Sequence, residues 1–312
     1  MTESKISLTH LLGLEGVSAA DIQVLIDTGF TFREVLDRPI KKVPTLTGIN
    51  VVNLFFENST RTRISFELAE KRLSAEVTNF SAASSSLSKG EGLKDTIRNL
   101  HAMKMDAVVM RHPVSGAAQQ LSSYVDAVVI NAGDGTHEHP TQALLDIMSL
   151  QERFGRVAGL KIGIIGDVAH SRVALSNIFG LQTLGAEVSV CGPGHLLPPH
   201  LSDLGVSIIP DVDDLLSWAD AINVLRIQRE RMGVGLIPSV REYRNGYGIT
   251  NERLARHKGE LVVLHPGPIN RGVEIDSDVA DGDQAIILDQ VLNGVAVRMS
   301  ILYHLLSAKG AA

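Results

Sequence analysis

The chain has 312 residues, with 29 Lys and Arg against 35 Asp and Glu and so a formal net charge of −6; it is 44% hydrophobic and only 4% aromatic. That length is expected to form two domains, each able to bury its own core, and the mild acidity argues against a general nucleic-acid or membrane-surface binder. The single cysteine, Cys191, excludes an intramolecular disulfide and a Cys-built zinc site.

The first ten residues lack the basic and apolar regions of a secretory signal. No run is long and apolar enough for a transmembrane helix. A soluble, cytoplasmic protein is expected, and the sequons at Asn58 and Asn79 are taken as chance matches.

Along the chain, strand-like and helix-like stretches alternate. Val51–Phe56 is a short apolar run followed by the amphipathic stretch Thr60–Leu73. Ala107–Met110 and Ala127–Ile130 read as buried strands, with a short helix between them in Ser115–Ser123. Ser81–Ser88 is biased towards serine and reads as a mobile loop. Pro140–Phe154 has helical spacing, with Gly155 placed to stop it.

The pattern then restarts. Strands are expected at Lys161–Ile165, Glu187–Cys191, Val206–Ile209, Ala221–Leu225 and Leu261–Leu264, with a helix over Ser171–Leu184 and a last one over Gln290–Leu306. Such alternation implies an α/β protein of two domains, each a mostly parallel sheet with helices on both faces. The boundary falls near 151–160, where the linker is neither Pro- nor Ser-rich, so a continuous helix is expected to join the halves.

Phe55-Phe-Glu-Asn-Ser-Thr-Arg-Thr-Arg63 directly follows the first strong strand. Ser59, Thr60 and Thr62 stand where a helix N-terminus opens, and their hydroxyls, the free amides and the helix dipole suit a phosphate. Arg61 adds a planar fork that matches phosphate oxygens. The plain alternative is an ordinary Ser/Thr N-cap beside solvated arginines.

His137 and His139 flank Glu138, but H-x-H with no third ligand is a weak metal signal, and no metal is expected. His139 at a helix start, with Gln142 one turn on, better suits a polar hand around a carbonyl; a capping His before Pro140 is the bland alternative. Arg111 and His112 also end a strand. Lys161–Asp167 opens like a nucleotide-binding unit but lacks G-x-G-x-x-G, which disfavours a dinucleotide cofactor. Arg172 starts the next helix, Leu225-Arg-Ile-Gln-Arg-Glu-Arg231 ends a strand with three arginines, and His265-Pro-Gly-Pro-Ile-Asn-Arg271 ends another. Basic residues therefore close at least five strands, as two sheets facing a shared set of small anions would require.

FFENSTRTRISFE, SKGE, RHP, EHPTQALLD, GDVAHSR, LRIQRER and LHPGPINRG, in this order, resemble the aspartate branch of the carbamoyltransferase superfamily over nearly the whole chain. The resemblance implies carbamoyl transfer from carbamoyl phosphate to the amine of L-aspartate, without a cofactor, by direct attack through a tetrahedral intermediate. It implies a carbamoyl-phosphate domain at 1–150, with 290–312 packing back on it, an aspartate domain at 151–289, and an active site in the cleft between them. It assigns Ser59, Thr60, Arg61, Thr62, Arg111, His139, Gln142, Gly267 and Pro268 to carbamoyl phosphate, with Arg61, Thr62, Arg111 and His139 catalytic. Lys89, Arg172, Arg226 and Gln228 are assigned to aspartate, with Arg229 a weaker candidate. The family forms homotrimers in which the loop carrying Lys89 enters a neighbour's site; Ser85 and Ser86 are both candidates beside it. A regulatory chain or a dihydroorotase partner is left open.

This chain departs from some members in Asn58 before the S-T-R-T-R motif and in Gly267-Pro268 after His-Pro. An ornithine-specific enzyme is disfavoured because its H-C-L-P motif is replaced by His265-Pro-Gly-Pro and because 226–231 is rich in arginine. A non-catalytic homologue is disfavoured by the retention of every anion-binding residue.

Overall fold

The computed structural model describes residues 6–81, 93–228, 239–257 and 259–307. The serine-rich loop after Ser81, with Ser85, Ser86 and Lys89, and also Arg229, lie outside the described residues. The chain divides into two compact units, one of residues 1–148 with 292–312 and the other of residues 149–291.

The first unit runs α1 (Ala19–Leu36), β1 (Asn50–Phe55), α2 (Thr60–Arg72), β2 (Glu76–Ser81), α3 (Leu93–Ala102), β3 (Ala107–His112), α4 (Ala117–Ser122) and β4 (Val128–Asp134), and α5 (Pro140–Phe154) leads out of it. Its strands form a parallel sheet in the order β2-β1-β3-β4. Val52, Leu54, Val108, Met110 and Val129 pack on Ile97 and Leu121, while Val51, Val109 and Ile130 are equally buried. Both faces being covered explains why these strands read as continuous apolar runs rather than alternating ones.

The second unit contains β5 (Lys161–Ile165), α6 (Arg172–Thr183), β6 (Glu187–Cys191), β7 (Ser207–Ile208), α7 (Val212–Trp218), β8 (Ala221–Val224), α8 (Val240–Tyr247), α9 (Asn251–Arg256), β9 (Val262–Leu264) and α10 (Ser277–Ala280). The sheet is parallel, in the order β7-β6-β5-β8-β9. Its core joins Ile165, Ile222, Val224 and Val263 to Leu215, Leu254 and Val279. The final helix, α11 (Ile287–Ser307), starts three residues before the expected Gln290 and brings the chain back to the first unit. Among the described residues no helix is long and apolar enough to cross a membrane.

Local chemistry sets the ends of α5. Pro140 occupies its first position, where no amide partner is needed. At the other end Gly155 adopts φ 71° while its amide donates to the Gln151 carbonyl, a left-handed stop that a side chain would strain.

Between β1 and α2 sits a buried carboxyl group. Glu70 is completely buried and accepts a hydrogen bond from Asn53 Nδ2 at 2.8 Å. Burial raises its pKa from 4.5 to about 8, against the opposing pull of the Asn53 hydrogen bond, so the group is neutral at pH 7. Because the folded pKa is the higher one, the stability tied to this group is complete below pH 4.5 and is lost as pH rises towards 8. Glu70→Gln, uncharged throughout, is therefore expected to gain about 3 kcal/mol on the wild type between pH 4.5 and pH 7. Chemical denaturation across that range checks this; parallel profiles for the two proteins would contradict it.

Candidate active site

The carboxyl ends of three adjacent strands, β1, β3 and β4, carry the first group of residues. In open parallel sheets that edge is where ligands bind. Ser59 takes the N-cap position of α2 with extended backbone (φ −152°, ψ 89°), yet its side chain makes no capping hydrogen bond. Its carbonyl accepts from Arg63 N at 3.1 Å and opens the helix. The opening turn thus presents hydroxyls and amides that the usual cap would have occupied. Thr60 and Arg61 are exposed, Ser59 is partly buried and Thr62 is buried.

Arg111 lies opposite Phe55 in the β1–β3 register, and its carbonyl accepts from Phe56 N at 2.9 Å, which ties the β1–α2 connection to β3. Its guanidinium donates from Nη1 to the Ala132 carbonyl at 3.1 Å, and its Nε stands 3.6 Å from Glu57 Oε2. It therefore spans all three strand ends. The neighbouring His112 meets Phe56 edge to face at 4.9 Å, and its Nδ1 accepts from Val114 N. Burial lowers its pKa and favours the neutral ring.

The β4–α5 connection is held by a buried polar lattice. Asn131 Nδ2 donates to Asp134 Oδ1 and to the Leu12 carbonyl, both at 2.8 Å. Asp134 also accepts from Gly116 N at 2.6 Å and from Glu138 N at 3.2 Å. Glu138 in turn accepts from Leu14 N at 2.7 Å and Glu15 N at 3.2 Å. His137 pairs with Asp134 at 3.2 Å. Among the described residues no three His, Cys, Asp or Glu side chains gather as metal ligands. His139 is buried, and its carbonyl accepts from Gln142 N at 2.9 Å in the first turn of α5. Gln142 Nε2 donates to the buried Asp146 at 2.9 Å, which fixes which end of the amide is which.

In the second unit the adjacent strands β5, β8 and β9 carry the other group. Arg172 is the first residue of α6 and only 4% exposed, behind an N-cap in which Ser171 Oγ accepts from Ala174 N. Asp167, at the end of β5, holds His170 at 2.9 Å. Arg226 and Gln228, both partly buried, follow β8. Gly267 and Pro268 follow β9 and so stand on this unit, joined by a cis peptide.

Two connections here are braced by polar side chains of the segment after β9. Asn270 Nδ2 donates to the Ile227 carbonyl at 3.1 Å, linking the connection after β9 to that after β8. The fully buried Glu274 accepts from His265 Nε2 at 3.2 Å and from Asn270 N at 2.6 Å. His265 Nδ1 accepts the Gly267 amide at 2.8 Å, so the ring proton resides on Nε2. With that amide engaged and no N–H on Pro268, this turn offers carbonyl acceptors. Arg271 is gripped by both oxygens of Asp281 at 2.7 Å.

Two family profiles match the chain. "Aspartate/ornithine carbamoyltransferase, carbamoyl-P binding domain" covers residues 9–152 and the corresponding "Asp/Orn binding domain" covers residues 158–305. The aspartate carbamoyltransferase catalytic subunit of Gemmatimonas aurantiaca is 60% identical over 299 residues, 96% of this chain and 94% of that protein. Aspartate transcarbamoylase from Trypanosoma cruzi, solved with carbamoyl phosphate, superposes with a TM-score of 0.85 at 31% identity, covering 95% of each chain. The catalytic subunit of M. jannaschii aspartate transcarbamoylase gives a TM-score of 0.85 at 35% identity, over 98% of this chain and 100% of that one.

Proposed function

The chain belongs to the aspartate/ornithine carbamoyltransferase family and, on its aspartate branch, transfers the carbamoyl group of carbamoyl phosphate to L-aspartate, and from this premise we propose which residues perform each part. The products are N-carbamoyl-L-aspartate and phosphate, a step of pyrimidine biosynthesis.

Residues 1–150, with 290–312, hold carbamoyl phosphate. Ser59, Thr60, Arg61 and Thr62 take the phosphate on the opening turn of α2, where helix dipole, amides and guanidinium all favour an anion. Arg111, His139 and Thr62 donate to the carbonyl oxygen as it gains charge. Gln142, its nitrogen engaged by Asp146, turns its carbonyl oxygen to the carbamoyl NH2. Residues 151–289 hold aspartate: Arg172 and Arg226 take its carboxylates and Gln228 assists, while the Gly267 and Pro268 carbonyls of the same unit accept from the carbamoyl NH2.

The reaction needs no covalent enzyme intermediate. The free amine attacks the carbamoyl carbon, the C–N bond forms, and the tetrahedral intermediate expels phosphate, which takes up the amine proton. Fixed donors aimed at the developing oxyanion, with the substrates held in place, supply the acceleration. The single observation that carries this assignment is the convergence of Arg111 on three strand ends beside the uncapped opening turn of α2.

The assembly is a cytoplasmic homotrimer in which Lys89, from a neighbouring copy, completes each aspartate site. Mixing a Lys89→Ala chain with an Arg61→Ala chain is therefore expected to restore activity that neither has alone, because some mixed sites carry neither lesion. Product formation after verified subunit exchange checks this, and no recovery would contradict shared sites.

A further inference from the structure

Arg298, on α11, is a cation placed away from water, at 4% exposure. Nη1 donates to Ser65 Oγ at 2.9 Å and to the Gly294 carbonyl at 3.0 Å, while Nη2 reaches Thr141 Oγ1 at 3.3 Å. The guanidinium carbon sits 5.0 Å over the Phe66 ring. Burial lowers its pKa to about 10, against the pull of Asp146, so it remains charged at neutral pH. Fold stability is a poor reason for such a group: an apolar residue of similar volume is usually as good or better in a buried site.

Its partners supply a different reason. Ser65 and Phe66 lie one turn beyond Arg61 and Thr62 on α2, and Thr141 lies between His139 and Gln142 on α5. These helices are assigned the two ends of one small molecule, the phosphate and the carbamoyl group. We propose that Arg298 is a positioning residue for carbamoyl phosphate: its fork fixes the spacing between the opening turns of α2 and α5. A lysine, as a single point charge, does not reproduce the two directions of that fork. Asp146, which accepts from Gln142 Nε2, lies within the electrostatic reach of the same cation, so the charge of Arg298 also favours the carboxylate that orients the Gln142 amide.

The inference rests on the assignment of Ser59–Thr62, His139 and Gln142 to carbamoyl phosphate. Its test uses the full chain with Arg298→Met, Arg298→Lys and the double variant Ser65→Ala/Thr141→Val, which keeps the cation and removes both anchors. Misplacing reacting groups by about 1 Å costs on the order of 10²-fold, so folded Arg298→Met should lose between about 10- and 100-fold in kcat. Its KM for carbamoyl phosphate should rise, with the KM for aspartate held within about twofold, and Arg298→Lys should recover only part of the loss. The double variant should show the same split in milder form. Folded Arg298→Met with wild-type kcat and carbamoyl-phosphate KM overturns the proposal; if that variant does not fold, wild-type kinetics in the double variant overturn it. Failure of the underlying assignment is read separately: Arg61→Ala would then leave carbamoyl-phosphate binding intact.

Discussion

Arg61→Ala is expected to lower kcat by roughly 10²–10³-fold while leaving the melting temperature within about 2 °C of the wild type. The first part follows from what leaves in the reaction. Phosphate departs as a polyanion, and in the proposed assignment the Arg61 guanidinium at the opening turn of α2 neutralises charge that peaks at bond cleavage. The second follows from exposure: Arg61 lies on the surface of α2, whose attachment to the sheet runs through Phe66, Ala69 and Glu70 on its buried face. Steady-state rates with both substrates saturating, beside a thermal melt, measure the two parts. A loss under about tenfold would mean that the phosphate is held elsewhere.

Arg172→Lys is expected to reduce kcat/KM for aspartate by about 10²-fold with little change in the KM for carbamoyl phosphate. Lysine keeps the charge but loses the paired N–H donors that grip a carboxylate edge-on. Two charge-assisted hydrogen bonds, at roughly 1.5 kcal/mol each, account for that factor. Arg172 is well placed for this role because Ser171 caps the helix behind it and α6 fixes its backbone. A rise confined to the carbamoyl-phosphate KM would contradict the assignment.

The fold was legible where local chemistry decides it. Pro140 and Gly155 bracket α5, and the observed helix matches the expected one at both ends. Lys161–Ile165 and Glu187–Cys191 also fall as expected, short stretches rich in Ile and Val whose last four residues are buried in the sheet. β2 carries no apolar run: Glu76–Ser81 reads EVTNFS, a polar strand that forms at the sheet edge by pairing with β1. The strand expected at Val206–Ile209 shrinks to two exposed edge residues for the same lack of a buried run. α1, with Gly29 near its middle, is likewise absent from the expected elements.

The candidate site divides in the same way. Arg61, Arg111, His139 and Arg172 stand beside a strand end or helix start, so their setting could be read within a few residues. What braces them could not. Glu138 is held by Leu14 and Glu15, and Arg298 by Ser65 and Thr141. Asn270 is held by Ile227. Such pairs are separated by tens to hundreds of residues along the chain. They exist only once the sheets have formed, and no local pattern of polarity announces them.

The proposed division of labour puts phosphate recognition on the first unit and the aspartate carboxylates on the second. Titration with N-(phosphonacetyl)-L-aspartate and with phosphonoacetamide, its half lacking aspartate, tests it most directly. Arg61→Ala should weaken both ligands by about tenfold or more, whereas Arg172→Lys should weaken only the full analogue. Equal weakening of phosphonoacetamide by Arg172→Lys, or unchanged affinity for the full analogue in Arg61→Ala, would contradict the division.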